Sequence, residues 1–278
     1  MTKKFLVFIA FCFGISLLAS SAFHFGGGVY TSIWGTLFAT GYMFIPMVAV
    51  VITQLVCGEK PFSGCGIGFR LNWWWLAAIL GITLFCIVVV PVSALVPGVD
   101  ITLQSSAMTQ TVEALSKQGL PIGPWGVLAI SFVSGLLAGC TVNALFAFGE
   151  EVAWRGFLER LLRPLGFWKK SLAIGAVWGI WHAPVILMGH NYPGHPVAGV
   201  FMMVAFCLLL SPVFMYVRER SKSVVAAALA HGTMNATAGL SLMLLSGYDD
   251  LLCGPTGLAG LAVLLLLDVA LYIRPGNS

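Results

Sequence analysis

Apolar residues run along this chain in eight long blocks, separated by short polar stretches. The blocks cover about 5–23, 32–56, 73–96, 125–149, 171–189, 197–217, 224–245 and 256–273. Each is close to the roughly 20 mostly apolar residues that cross a bilayer as one helix. The pattern predicts an all-α, polytopic membrane protein of about eight transmembrane helices. The fourth helix is expected to run past its apolar part to about Leu162. No internal repeat and no low-complexity linker divides the sequence, so residues 1–278 read as one integral membrane domain.

Composition agrees. The chain is 59% hydrophobic and only 9% charged, with a mean hydropathy of +0.97; a soluble domain carries roughly 25% charged residues. The net charge of +4 does not point to nucleic acid, because the positive residues lie in short connections between apolar blocks. Lys3, Lys4, Lys60, Arg70, Arg160, Arg163, Lys169, Lys170, Arg218, Arg220, Lys222 and Arg274 all fall on one side of an eight-helix thread. The opposite connections hold Lys117 with Asp100, Glu113, Asp249 and Asp250. Basic residues collect on the cytoplasmic side, so both termini are expected there, in a multi-pass protein of the cell membrane. The first block has the basic start and small residues near Ala22 of a signal peptide, but its length favours a retained helix. Seven cysteines without a CxxC pair give no disulfide framework. Gly135 and Gly139 form a GxxxG that suits a close helix contact. His190 and His195, in a connection with Pro193 and Gly194, read as solvated loop histidines.

Charges at membrane depth cost about 2.5–3.5 kcal/mol each and mark function. Besides Asp268, three clusters stand out: Glu150, Glu151 and Arg155; His182; and His231 with Asn235. Glu151 and Arg155 are four apart and can pair on one helix face. Glu150 is turned by about 100° from Glu151 and need not be neutralised by that arginine. His231 and Asn235 also share a face. Counting 1.5 Å per residue from the basic side puts His182 about 16 Å deep and His231 about 10 Å deep. The clusters are therefore expected to meet in a polar cavity open to the cytoplasm. A carboxylate can take a proton from water, an imidazole can orient that water, and amide or imidazole N–H groups can bind an oxyanion. Together they make a hydrolytic set.

Glu150-Glu151-Val-Ala-Trp-Arg155, Trp178-Gly-Ile-Trp-His182 and His231-Gly-Thr-Met-Asn235 resemble the EExxxR, FxxxH and HxxxN motifs of the CAAX-protease and bacteriocin-processing (Abi) family. They occur in that order on successive membrane helices. The resemblance covers about residues 125–245, a catalytic core; Trp178 stands where the family usually has phenylalanine. It implies an intramembrane endopeptidase acting on a peptide or protein substrate, lipidated or membrane-bound substrates included. Carried over, Glu150 is the base that activates water with help from His182, and His231 and Asn235 form the oxyanion site. Glu151 and Arg155 then support the helix. The favoured mechanism uses no cofactor; a zinc enzyme would instead hold its ion with Glu150, His182 and His231. A non-proteolytic immunity or scaffold protein of the same family is the alternative. A proton-relay transporter is disfavoured, because no repeat or pair of broken helices is evident in the sequence.

Overall fold

All eight apolar blocks are helical in the computed structural model, which describes residues 2–273. Arg274 lies outside the described residues. The helices are α1 (Thr2–Phe25), α2 (Ile33–Tyr42), α3 (Ile45–Val56), α4 (Trp73–Ser93), α5 (Ser106–Lys117), α6 (Pro124–Cys140) and α7 (Val142–Glu151). They continue with α8 (Glu159–Leu162), α9 (Gly166–Trp181), α10 (Ala183–Leu187), α11 (Pro196–Ser221), α12 (Val224–Met243) and α13 (Leu258–Tyr272). The protein is an all-α polytopic membrane protein.

Five helical runs are long and apolar enough to cross a membrane: Lys3–Phe25, Ile33–Val56, Trp73–Ser93, Val142–Leu187 and Pro196–Ser221. α6 and α13 are apolar but shorter. α12 is not among the five, because it carries His231 and Asn235 among glycines and threonines. It can afford that polarity because it packs against α4, α6, α7 and α11, so its neighbours rather than lipid surround it.

Three expectations of unbroken helix fail, two of them with a local cause in the sequence. The second block breaks at Met43–Phe44, between α2 and α3. The fourth breaks at Thr141 (φ −123°, ψ −93°), whose Oγ1 bonds back to the Leu137 carbonyl at 2.6 Å, a bond that bends helices. Beyond Glu151 the chain is wound as a π-helix over Val152–Leu158, a form that concentrates at functional sites. The fifth block breaks at His182, two residues before Pro184.

The connections sort into two sets, as the basic-residue pattern requires. On the basic side Glu59 pairs with Lys4, and with Arg160 at 2.6 Å. The Ser223 hydroxyl donates to the Gly68 carbonyl, and Asn72 Nδ2 to that of Ser221 at 3.2 Å. On the other side Asp100–Ile101 forms a two-residue antiparallel ladder with Leu245–Ser246.

The aromatic centre is Phe8, Trp154, Phe157 and Trp181, all buried. Phe8 meets Trp154 edge-on at 6.0 Å, and the Trp181 indole donates to Ser16 Oγ at 2.7 Å. α1 is thus built into the core through Phe8, Cys12 and Ser16.

Candidate active site

α12 comes close enough to α6 and α7 to bring His231 against the EExxxR segment because the contact is made by glycines. A Cβ on Gly232 would lie 2.4 Å from the Ala144 nitrogen, and one on Gly139 would lie 2.8 Å from Thr233 Cα. The GxxxG reading as a close helix contact therefore holds. Gly149 lies against the Met43–Phe44 break in the same way, which sets Glu150 midway along the bundle.

The adjacent glutamates then part company. Glu151 Oε1 accepts from Arg155 Nη1 at 2.9 Å, and His231 Nδ1 lies 2.9 Å from the same oxygen. Arg155 is fully buried, with its guanidinium carbon 4.5 Å from the centre of the Trp178 ring and 5.0 Å from that of Phe214. Glu150 makes no contact with that arginine. Its Oε2 accepts from the indole N–H groups of Trp178 at 2.7 Å and Trp154 at 3.3 Å. Glu150, His182, His231 and Asn235 line one cavity of about 360 Å³, which Glu151 and Arg155 do not line.

His182 Nδ1 lies 2.8 Å from the Trp178 carbonyl. A carbonyl only accepts, so Nδ1 carries the proton and Nε2 keeps a lone pair. His231 has its Nδ1 committed to Glu151. Its Nε2 donates only when the ring carries both protons, a charge the Glu151 carboxylate is placed to offset. Asn235, four residues on, is exposed to the cavity.

Glu150, His182 and His231 are not a group whose ligand atoms all lie within 4.8 Å of one another. Among the described residues the group of three whose ligand atoms lie within 4.8 Å of one another is His195, Asp249 and Asp250 instead. That group is superficial, and Asp250 is already taken up by His195 Nδ1 and by the Gly194 N–H, both at 2.7 Å.

The cavity reaches toward the side opposite to the basic residues. Its lining reaches Tyr30, His190, Asn191, Pro255 and Thr256, all in connections on the side away from the basic residues. The basic end is closed by the connection 57–72. Gln54 holds it by accepting from the Phe62 N–H at 2.6 Å and donating to the Ser63 carbonyl at 3.0 Å. Cys65, fully buried, lies where a Cβ on Gly156 would come within 2.8 Å of its carbonyl oxygen. α9 also starts at Gly166 rather than Ser171, which puts His182 about 24 Å from the basic end at 1.5 Å per residue. His190 is correspondingly not a solvated loop residue: it sits in the cavity wall, its ring 5.4 Å from that of Tyr30.

The sequence reading missed Trp154 and noted Trp178 only as an aromatic ring in place of phenylalanine. Trp154 follows Glu150 by the same four residues that separate Glu151 from Arg155, so its contact was legible. The Trp178 indole N–H had no such signal.

The α-bundle thus places a carboxylate, two imidazoles and an amide around one cavity. Residues 129–237, under half of the chain, match the family model described as type II CAAX prenyl endopeptidase Rce1-like. That stretch contains all three motifs, so the family model and the motifs point to a similarity with the same family over the same part of the chain. No curated protein matches the chain.

Proposed function

We propose that the protein is an intramembrane endopeptidase in which Glu150, without a metal, activates the attacking water. The observation that carries this reading is the division between the glutamates: Glu150 lines the cavity, whereas Glu151 is spent on Arg155 and His231. Glu150 takes one proton from water while His182 Nε2 accepts a hydrogen bond from the same molecule. The water oxygen bonds to the scissile carbonyl carbon, and His231 Nε2 and Asn235 Nδ2 hold the oxyanion that forms. The tetrahedral intermediate then collapses, the C–N bond breaks, and the proton on Glu150 passes to the departing amine. The substrate is a peptide or protein segment held at the membrane, lipidated tails included.

The basic asymmetry supports a cytoplasmic location for both termini, and with them the closed end of the bundle. Substrate then reaches Glu150 from the opposite face or from within the membrane.

The test is cleavage of a labelled peptide by detergent-solubilised protein. Glu150→Gln should abolish turnover and leave thermal stability near that of the parent. Glu151→Gln should lower both, because it strands a buried arginine. Activity that disappears on chelation and returns with one zinc per chain would replace this mechanism with a metal-dependent one. An inactive parent protein would favour the immunity or scaffold alternative.

A further inference from the structure

Trp178 touches more of the site than any other side chain described above. Its indole N–H donates to Glu150 Oε2 at 2.7 Å, and its carbonyl accepts from His182 Nδ1 at 2.8 Å. Its ring covers the Arg155 guanidinium at 4.5 Å, and the ring centres of His231 and His182 lie 5.3 and 5.7 Å away. A phenylalanine, the usual residue at this position in the family the motifs resemble, would keep the ring contacts and the carbonyl. It would lack the N–H, together with the pyrrole part of the indole that carries it.

That N–H matters because Glu150 has few other partners. The donors to its carboxylate among the described residues are Trp178 and the longer contact from Trp154, both to Oε2. Oε1 has no hydrogen-bonding partner among them, which makes it the oxygen available to water. We infer that the Trp178 indole N–H is a positioning group of this protein's active site: it tethers Oε2 and so presents Oε1 to the water that attacks the substrate. A carboxylate on a two-carbon stem has several rotamers, and holding it in one geometry lowers the barrier to proton transfer. The same residue fixes the His182 tautomer through its carbonyl, so one backbone position aligns both groups that hold the water.

The inference rests on Glu150 as the base, and the experiment separates the two. Trp178→Phe should lower kcat by about ten- to a hundredfold, the range for losing a hydrogen bond to a charged group. KM should move by less than about twofold, because substrate binding is not the step affected. Benzothienylalanine at position 178, which replaces the indole N–H by sulfur and keeps the ring shape, should reproduce the loss even if the phenylalanine variant folds poorly. Benzothienylalanine at full kcat, with Glu150→Gln inactive, overturns the positioning role and leaves the base assignment standing. Glu150→Gln at full activity overturns both.

Discussion

The two ends of the bundle are built in opposite ways. At the basic end the connection 57–72 is pinned by side chains from several helices: Gln54, Lys4 and Arg160 through Glu59, and Ser223 through Gly68. At the other end the connections 26–32, 188–195 and 244–257 line a cavity instead of filling one. Connections 188–195 and 244–257 are joined by the Tyr192 hydroxyl to the Thr256 carbonyl at 2.7 Å and by Asp250 to His195 and to the Gly194 N–H. Two of the positive charges at the basic end, on Lys4 and Arg160, thus also help to pin the connection that covers it. Access to Glu150 is left to the end with few charges.

The largest expected effect comes from blocking that access. A bulky thiol reagent on Thr256→Cys, at the cavity rim, should cut peptide cleavage at least about tenfold, since it occupies space the substrate needs. The same reagent on Ser63→Cys, exposed at the closed end, should leave the rate within about twofold. The reagent-treated parent is the control, because its fully buried Cys207 also lines the cavity. Inhibition through position 63 alone would reverse the assignment of open and closed ends.

Next come two glycines. Gly156→Ala places a Cβ 2.8 Å from the Cys65 carbonyl oxygen and should destabilise the protein by about 1–3 kcal/mol, the usual range for overpacking. Gly239, which lines the cavity, has no atom within 4 Å of an added Cβ. Gly239→Ala in mid-helix should be neutral or stabilising by up to about 1 kcal/mol. Thermal unfolding in detergent measures both, and equal losses would mean that the two ends are packed alike.

Acid should loosen the closed end first. Hydrogen bonds from Lys4 and Arg160 hold the Glu59 carboxyl down to about 2, from an ordinary value of 4.5. A carboxyl lowered on folding contributes stability that is complete above its unfolded value and is lost as pH falls through the folded one. The window is therefore between about pH 4.5 and pH 2. Glu59→Gln should flatten the fall in melting temperature across that window, and a variant with the parent's slope would remove Glu59 from the account.

The apolar blocks were legible because lipid imposes length and hydropathy on any helix that crosses it. The motif residues were legible because polarity at that depth is costly and stands out. Which connections the cavity reaches was not, because counting along one helix says nothing of what covers its end. The cover depends on contacts made by Gln54, Glu59 and Gly156 with residues distant in the fold. The amphipathic helix α5 lay hidden in what read as a loop. The break at His182 did carry a signal, Pro184, that the apolar count passed over. Trp178 was visible as a departure, yet as a ring it looked equivalent to phenylalanine. Only the 2.7 Å approach of its nitrogen to Glu150 sets the two apart.

The smallest expected effect tests how loosely the open end is held. His195 Nδ1 lies 2.7 Å from Asp250 Oδ1 and 3.7 Å from Asp249 Oδ2, joining the connections 188–195 and 244–257 at the cavity rim. The hydrogen bond to Asp250 raises His195 above its ordinary 6.5, helped by the charges of Asp249 and Asp250. A histidine raised on folding contributes stability that is complete below its unfolded value and is lost as pH climbs through the folded one. The clasp should therefore weaken as pH rises above about 6.5, the opposite direction from the acid-sensitive end. The pair is exposed, so the change should be a small rise in hydrogen exchange of the 188–195 segment with little shift in melting temperature. Asp250→Asn keeps an acceptor for the Gly194 N–H but removes the nearer of the two charges facing His195, and should reduce the pH dependence. Exchange in that segment that responds to pH equally in parent and variant would show that the two connections are not held together by this pair.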